Sequence, residues 1–326
     1  MACYYPIPAY RSKENGSISF GISATHTDRL ELPCGSCCGC RLEKARIWAM
    51  RCAHEASLYD NNMFLTLTYD DEHLPDHGSL RKKDLQDFWK RLRKRFCVYY
   101  TDENGDRKCK NPIRYYACGE YGDESERPHY HAICFNLWMD DAEFWKLTPS
   151  GNKLYISDTL SEIWGHGFVV IGHVSFESAG YVARYVMKKR TKPNARDEAV
   201  REKQQEIYDE AYRRVYIHDD GTHEVVYLDE EFAVMSRRPG IGREWYDLWK
   251  DDTYPSDSVV LRGKEMKPPR YYDELIRIED EELYDQLKRD RLEEAWKHYD
   301  DNTTARLDVK RQCAEARVNL YPRSEA

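Results

Sequence analysis

The chain has 326 residues, of which 41% are hydrophobic, and a formal net charge of −8. This length provides one large or two modest domains, and no apolar run reaches the roughly 18 residues of a membrane-spanning helix. The polar start MACYYPIPAYRSKENG lacks the basic and apolar regions of a signal peptide. We therefore expect a cytosolic protein whose eleven cysteines are thiols or metal ligands.

Positive charge is concentrated in two segments despite the negative total. Ser79–Phe96 contains eight Lys or Arg against two Asp, and Arg184–Lys192 contains five cations and no acid. A phosphate backbone requires such clustering, although solvated helix faces are the usual alternative. We predict DNA contacts in both segments, with a weaker pair before a later Pro-Gly turn. The candidates are Arg81, Lys82, Lys83, Lys90, Arg91, Lys94, Lys189, Arg190, Arg237 and Arg238.

The N-terminal third alternates between irregular chain and two predicted helices. The segment up to Pro33 has the composition of irregular, turn-rich chain, and the cysteine cluster CGSCCGC follows it. An apolar stripe predicts a helix from Arg41 to about Leu58. NMFLTLTY, from Asn62 to Tyr69, has the β-branched and aromatic residues of a strand. Ser79–Phe96 is the predicted basic helix.

The middle of the chain is rich in predicted strands. PIRYYACGEY and PHYHAICFN are two strands joined by a polar loop, and GFVVIGHV is another. A short helix begins at a cap on Ser157 or Asp158, and a longer one covers Phe176 to about Lys189. This order predicts an α+β fold, an antiparallel sheet with helices packed on one face in a split βαβ arrangement.

The character of the chain changes after Thr191. A charged helix, about Asp197 to Arg214, precedes a hairpin with a DDGT turn; MSRRPGIGREWY and an acidic helical region follow. We expect three parts: an N-terminal segment 1–58, a core 59–190 and a mainly helical C-terminal region 191–326. No GxxxxGK[ST] phosphate loop is present, so we expect no nucleotide cofactor and no motor activity.

Two histidines in ERPHYHAICF flank one tyrosine within a predicted strand. His129 and His131 therefore project from one face, while Tyr130 and its alternate neighbours face a helix layer. Glu120, near the end of the preceding strand, is a third candidate ligand if the chain returns as a hairpin. Such a set suits Mg²⁺ or Mn²⁺, although imidazoles also accept Zn²⁺. The alternative is a pair of ordinary surface or hydrogen-bonded histidines.

The candidate nucleophiles are Tyr181 and Tyr185, which lie four residues apart on one face of a predicted helix. A tyrosine hydroxyl with a pKa near 10 needs activation, and the nearby Lys188 would favour the phenolate. Attack on DNA would leave a 5′-phosphotyrosine and a free 3′-OH, without ATP. Pairs at this spacing also arise by chance, and others occur among Tyr208, Tyr212 and Tyr216.

A second metal site is predicted from cysteine spacing. Cys34, Cys37 and Cys40 have the CxxCxxC spacing of zinc ligands. The isolated Cys3 is our first choice for the fourth ligand of a structural Zn²⁺. Cys38, Cys52 and His54 are the other choices, and the alternative to a metal site is a set of free thiols.

The motifs FLTLTY, CGEYG, RPHYHAICF and GYVARYVMKK, in this order, resemble those of HUH endonucleases. The chain is most similar to the two-tyrosine replication-initiation proteins of small single-stranded-DNA phages, microviruses of the gokushovirus group. The resemblance covers about Cys34 to Lys189, and MSRRPGIG is also similar to a block of that group. It implies rolling-circle replication in the cytoplasm of a bacterial host, with nicking of origin DNA, covalent attachment and strand joining.

The resemblance also assigns roles to residues. It implies His129, His131 and Glu120 as metal ligands, of which Glu120 matches least closely. It implies Tyr181 and Tyr185 as the paired nucleophiles and Lys188 as the residue that positions phosphate or metal. The implied partner is single-stranded DNA at a replication origin, and a host helicase is a further candidate because the chain has no motor of its own.

Two other interpretations compete with this one. An HUH transposase usually needs one tyrosine, and a relaxase is expected to have a third histidine. A non-catalytic, zinc-containing DNA-binding protein would make the two histidines incidental.

Overall fold

A computed structural model describes residues 3–185 and 198–320 of the chain. Most of its strands belong to one large sheet and one small N-terminal sheet, and the others form two-stranded hairpins. In chain order the strands are β1 (Ile7–Ser12), β2 (Ile18–Ser19), β3 (His26–Leu32), β4 (Asn62–Thr68), β5 (Tyr99–Thr101), β6 (Arg107–Cys109), β7 (Arg114–Tyr121), β8 (Pro128–Phe135), β9 (Glu143–Leu147), β10 (Lys153–Ile156), β11 (Val169–His173), β12 (Arg213–Ile217), β13 (His223–Tyr227), β14 (Phe232–Met235), β15 (Val259–Leu261) and β16 (Lys264–Met266).

Helices occur in both halves of the chain and dominate its C-terminal part. Within the described residues they are α1 (Cys38–Ala56), α2 (Lys82–Phe96), α3 (Asp158–Trp164), α4 (Phe176–Tyr185), α5 (Glu198–Tyr212), α6 (Arg243–Ser256), α7 (Arg270–Glu279), α8 (Glu281–Lys297) and α9 (Thr304–Leu320). The predicted cap of the short helix is confirmed, because the Ser157 hydroxyl accepts a hydrogen bond from the Leu160 amide at the start of α3. Within the described ranges, none of the helices has both the length and the apolar character to cross a bilayer.

The large sheet has seven strands in the order β14-β7-β8-β4-β11-β10-β9, and every pairing in it is antiparallel. The predicted α+β class with an antiparallel sheet is therefore confirmed. Near its middle, β4 buries Phe64 on one face and Leu65 and Leu67 on the other, as expected for a strand covered on both sides.

Helices cover both faces of this sheet, so the prediction of one helical layer was wrong. The Tyr130 face carries α2 and α3, which bury Phe88, Trp89 and Trp164 against it. The opposite face, here called the His131 face, carries α1 and α4, which bury Ala49 and Val182. Each helix is short enough to look like part of a single layer in sequence, and only the burial of alternate strand residues on both sides separates them.

Three parts of the fold differ from the sequence prediction. The predicted irregular N-terminus contains a small antiparallel sheet, β2-β1-β3. The chain between β8 and α3 adds β9 and β10 to one edge of the large sheet, and β14 adds to the other edge from within the region 191–326. Gly119 permits this last addition, because a Cβ there would lie 2.9 Å from the Phe232 ring.

The basic helix begins later than predicted, at Lys82 rather than Ser79. The amides of Leu80 and Arg81 donate to the hydroxyls of Tyr121 and Tyr130, so these residues are held in an extended connection before the helix begins.

The chain divides into two compact units. One runs from Trp48 to Lys250 and contains the large sheet; the other joins the N-terminal residues up to Ile47 with the residues from Asp251 onward. In the second unit α7 and α8 pack together, and the guanidinium of Arg291 lies 2.8 Å from Asp273 and also pairs with Asp257.

Candidate functional site

The hairpin of β7 and β8 places Glu120 directly opposite His129. The turn is closed by a hydrogen bond from the Gly122 amide to the Arg127 carbonyl, which sets the register. His131 lies two residues further along β8 and therefore on the same face as His129. The return that brings Glu120 to the two histidines is thus a direct consequence of a short hairpin.

The side chains of these three residues converge on a single point. Glu120 Oε1 lies 2.9 Å from His129 Nε2 and 3.1 Å from His131 Nε2. One ligand atom from each residue lies within 4.8 Å of the other two. A single ion can therefore contact all three side chains.

Hydrogen bonds on the far side of each ring orient the imidazoles. His129 Nδ1 lies 3.2 Å from the Arg127 carbonyl, and since a carbonyl only accepts, this nitrogen carries the proton. His131 Nδ1 lies 3.1 Å from Thr66 Oγ1. Both rings thus direct Nε2 toward the carboxylate. Lone pairs on Nε2 and Oε1 would repel at this distance, so a proton or a metal ion between them is required.

Burial and charge at Glu120 act in opposite directions. Burial of its side chain by itself raises the carboxyl pKa, but the hydrogen bonds from His129 and His131 outweigh it and lower the pKa to about 2. Glu120 is 1% exposed as a side chain, whereas His129 is 19% exposed. The cluster therefore contains a permanent carboxylate and is open to solvent at His129.

The donor set fits a divalent cation. One carboxylate and two imidazoles, each imidazole held by a second hydrogen bond, are typical of metal sites in proteins. Three protein ligands leave positions for water or substrate, which is the arrangement of a catalytic rather than a purely structural site.

Helix α4 packs on the same face as this cluster. Its Ala179 and Val182 are buried with Ile133 and Phe135, which alternate with the two histidines along β8. Tyr181 and Tyr185 both lie within α4, one helical turn apart. Lys188, Lys189 and Arg190 lie outside the described residues.

The basic helix α2 packs on the opposite face of the sheet. Its predicted DNA contacts Arg81, Lys82, Lys83, Lys90, Arg91 and Lys94 are exposed. Lys83 and Lys90 both pair with Asp87, and Arg91 donates to two carbonyls at the end of α3. These cations, like the exposed Arg237 and Arg238, are separate from the Glu120 cluster, and their role in DNA binding stays a prediction.

Thr66 is a member of the site that the sequence analysis missed. It pairs with His131 across the sheet, and its hydroxyl contacts the ring. The polar threonines that alternate with leucines in FLTLTY were a signal, but their partner depends on the register between two strands that are far apart in sequence.

A second group of metal-ligating side chains lies in the other unit. The Sγ atoms of Cys3, Cys34, Cys37 and Cys40 all lie within 4.8 Å of one another. Burial opposes ionisation of Cys34, but hydrogen bonds from the amides of Cys37 and Ser36 lower its thiol pKa to about 6. Neither Cys38 nor the alternatives Cys52 and His54 belong to this group.

Comparison with known proteins identifies relatives over most of the chain. Residues 62–190 match the family model of the replication-associated protein ORF2. The chain is 35% identical over 241 residues to the replication-associated protein VP4 of Bdellovibrio phage phiMH2K, covering 74% of this chain and 65% of that protein, just under two thirds of its length. It is 30% identical over 313 residues to the replication-associated protein ORF2 of Spiroplasma virus 4, covering 89% of this chain and 86% of that protein.

A third relative is the replication-associated protein ORF4 of Chlamydia phage 1, 34% identical over 163 residues, which cover 48% of this chain and 38% of that protein. No solved structure matches the chain. Because the Spiroplasma virus relative matches along nearly its whole length, the chain belongs to the family of replication-associated proteins of microvirus-type phages.

Proposed function

We propose that this protein initiates rolling-circle replication by nicking single-stranded origin DNA through a tyrosine and later rejoining the strand. The observation that supports this most is the convergence of Glu120, His129 and His131 on the sheet face that α4 covers. Membership of a family of phage replication-associated proteins agrees with the proposal. In it, residues 59–190 are an HUH endonuclease core of split βαβ type, flanked by the segments 1–58 and 191–326.

The proposed metal ligands are Glu120, His129 and His131, and the proposed ion is Mg²⁺ or Mn²⁺. When bound, such an ion polarises an oxygen of the scissile phosphate. The protein contributes a rigid strand pair that holds all three donors and hydrogen bonds that keep both Nε2 atoms directed inward.

Tyr181 and Tyr185 are the proposed nucleophiles. After losing its proton, the phenol oxygen of one tyrosine attacks phosphorus. The new O–P bond joins the protein to the 5′ phosphate, the P–O3′ bond breaks, and the departing oxygen takes a proton to become a free 3′-OH. The phosphoester keeps the bond energy, so a second transfer can rejoin DNA without ATP. Lys188 favours the phenolate or positions the phosphate.

The proposed partner is single-stranded DNA at a replication origin, within the cytoplasm of the bacterial host. Candidate phosphate contacts are the cations of α2, together with Lys189, Arg190, Arg237 and Arg238. Since the sequence contains no nucleotide-binding loop, unwinding of duplex DNA is assigned to a host helicase.

Covalent trapping tests this proposal directly. Single-stranded fragments of the phage genome, labelled at the 3′ end or at the 5′ end, are incubated with the full chain and Mn²⁺ and then denatured. The 3′ label should remain on the protein and the 5′ label should be released, because the tyrosine holds the 5′ phosphate of the downstream fragment. Tyr181→Phe combined with Tyr185→Phe should abolish the adduct.

The matched control is Tyr208→Phe combined with Tyr212→Phe, which removes a tyrosine pair of the same spacing from α5. This variant should retain the adduct. DNA binding without any adduct, or an adduct that persists in the Tyr181 and Tyr185 double variant, would contradict the proposal; the first result would favour a non-catalytic, zinc-containing DNA-binding protein. One tyrosine sufficing for both transfers would favour a transposase-like activity.

A further inference from the structure

The cysteine group combines a local motif with one distant residue. Cys34, Cys37 and Cys40 lie at the start of α1 or just before it, and Cys3 lies about 30 residues away, before β1. The Sγ atoms of Cys34 and Cys40 are 4.0 Å apart, as are those of Cys3 and Cys37. Four thiolates around one tetrahedral ion with bonds of about 2.3 Å would be separated by about 3.8 Å. The group therefore has nearly the dimensions of a closed four-sulfur site.

Backbone amides point at the sulfurs. The Cys34 amide donates to Cys3 Sγ at 3.2 Å, and the Cys37 amide donates to Cys34 Sγ at 3.4 Å. The amides of Tyr4 and Cys40 both lie 3.5 Å from Cys37 Sγ. Amide donors stabilise negative charge on sulfur, which is the form of cysteine that binds metal.

The N-terminal sheet has little else to hold it in place. Among the described residues before Gly39, only Cys3, Ala9 and Ser12 are buried, whereas large apolar side chains such as Phe20 and Ile22 are about 70% exposed. A segment this small does not form a core of its own and usually needs a metal or a disulfide. At 4.0 Å the sulfurs are too far apart for disulfides.

We propose that Cys3, Cys34, Cys37 and Cys40 bind one Zn²⁺ and that this ion fastens the N-terminal sheet to the start of α1. Sulfur ligands select zinc over the hard ions Mg²⁺ and Mn²⁺ proposed for the Glu120 cluster. Four protein ligands leave no open position, so the site is structural. This proposal does not depend on the nicking chemistry.

Metal analysis of the purified full chain tests the proposal. We expect one zinc per chain, and loss of that zinc in Cys37→Ser and in Cys3→Ser. Cys38→Ser is the matched control, because Cys38 lies in the same motif but outside the group; it should keep its zinc. His129→Ala should also keep it, which separates this site from the Glu120 cluster.

Cobalt substitution of the wild-type chain provides a readout that does not depend on how well the variants fold. Co²⁺ should give intense thiolate-to-metal charge-transfer absorption and the visible bands of a tetrahedral four-sulfur site. Absence of zinc, iron in its place, equal zinc loss in Cys38→Ser, or a cobalt spectrum without thiolate bands would overturn the proposal.

Discussion

The metal ligands of the Glu120 cluster depend on neighbours that contact no substrate. His131 is buried, and its Nδ1 lies 3.1 Å from the hydroxyl of Thr66. A hydrogen bond at Nδ1 fixes the ring orientation and the tautomer, and it raises the basicity of Nε2. Thr66 is therefore proposed as a positioning residue for His131.

Replacing Thr66 should weaken metal binding without preventing it. Thr66→Val keeps the shape of the side chain but removes the hydroxyl, and we expect Mn²⁺ affinity to fall about 10- to 100-fold. Calorimetric titration with Mn²⁺ measures this directly, and higher Mn²⁺ concentrations should restore adduct formation.

The control for this prediction is Thr68→Val, two residues along the same strand. Thr68 Oγ1 donates to the Phe168 carbonyl and not to an imidazole, so its loss should leave the Mn²⁺ affinity unchanged. Equal effects of the two substitutions would show that strand stability, rather than the orientation of His131, controls binding.

At the scale of elements, a buried ion pair joins α1, β7 and the segment after β14. The Arg114 guanidinium pairs with the Glu55 carboxylate and also donates to the Pro239 carbonyl at 2.9 Å. The other oxygen of Glu55 accepts from the Gly242 amide at 2.7 Å. The side chains of the pair are only 6% and 1% exposed. This network gives the RRPGIG segment a structural role beside the sheet.

Breaking this pair should destabilise the fold strongly. Arg114→Met leaves the Glu55 charge buried without its guanidinium partner, and we expect the free energy of unfolding to fall by about 3–5 kcal/mol. Urea denaturation followed by tryptophan fluorescence measures the change. Arg95→Met, an exposed site on α2, should change stability by less than about 0.5 kcal/mol. A loss at Arg114 as small as this would mean that the pair is solvated in solution.

At the scale of the whole molecule, the sheet separates the cations of α2 from the Glu120 cluster. A DNA strand that contacts both must pass around an edge of the sheet. The net charge of −8 disfavours binding at most other surfaces, so the clustered cations of α2 remain the best candidates for phosphate contacts in the described ranges.

Neutralising two cations of α2 should reduce the salt dependence of DNA binding. Lys82→Gln with Lys94→Gln removes two exposed charges, and the slope of log affinity against log salt concentration for single-stranded DNA should become smaller by about 0.7 for each lost phosphate contact. Fluorescence anisotropy at several salt concentrations measures the slope. Lys288→Gln with Lys297→Gln on the acidic helix α8 is the control. Indistinguishable slopes for the two variants would assign α2 to a solvated face.

Local pattern alone was enough to predict much of the site. The period of two along a strand puts His129 and His131 on one face whatever the rest of the fold does. A short polar loop between two strands makes a hairpin, and the hairpin brings Glu120 near them. The spacing of Cys34, Cys37 and Cys40 is likewise local. These features depend on backbone geometry within about ten residues.

Only the tertiary structure decided the features that join distant segments. Pairing of β4 with β8 brings Thr66 to His131, and Cys3 approaches the cysteine motif from the far side of the N-terminal sheet; neither register is encoded locally. The layer of each helix, α2 on the Tyr130 face and α4 on the His131 face, depends on which buried surfaces fit together. The N-terminal sheet was missed because its strands are mostly exposed and lack the apolar alternation by which strands are recognised in sequence.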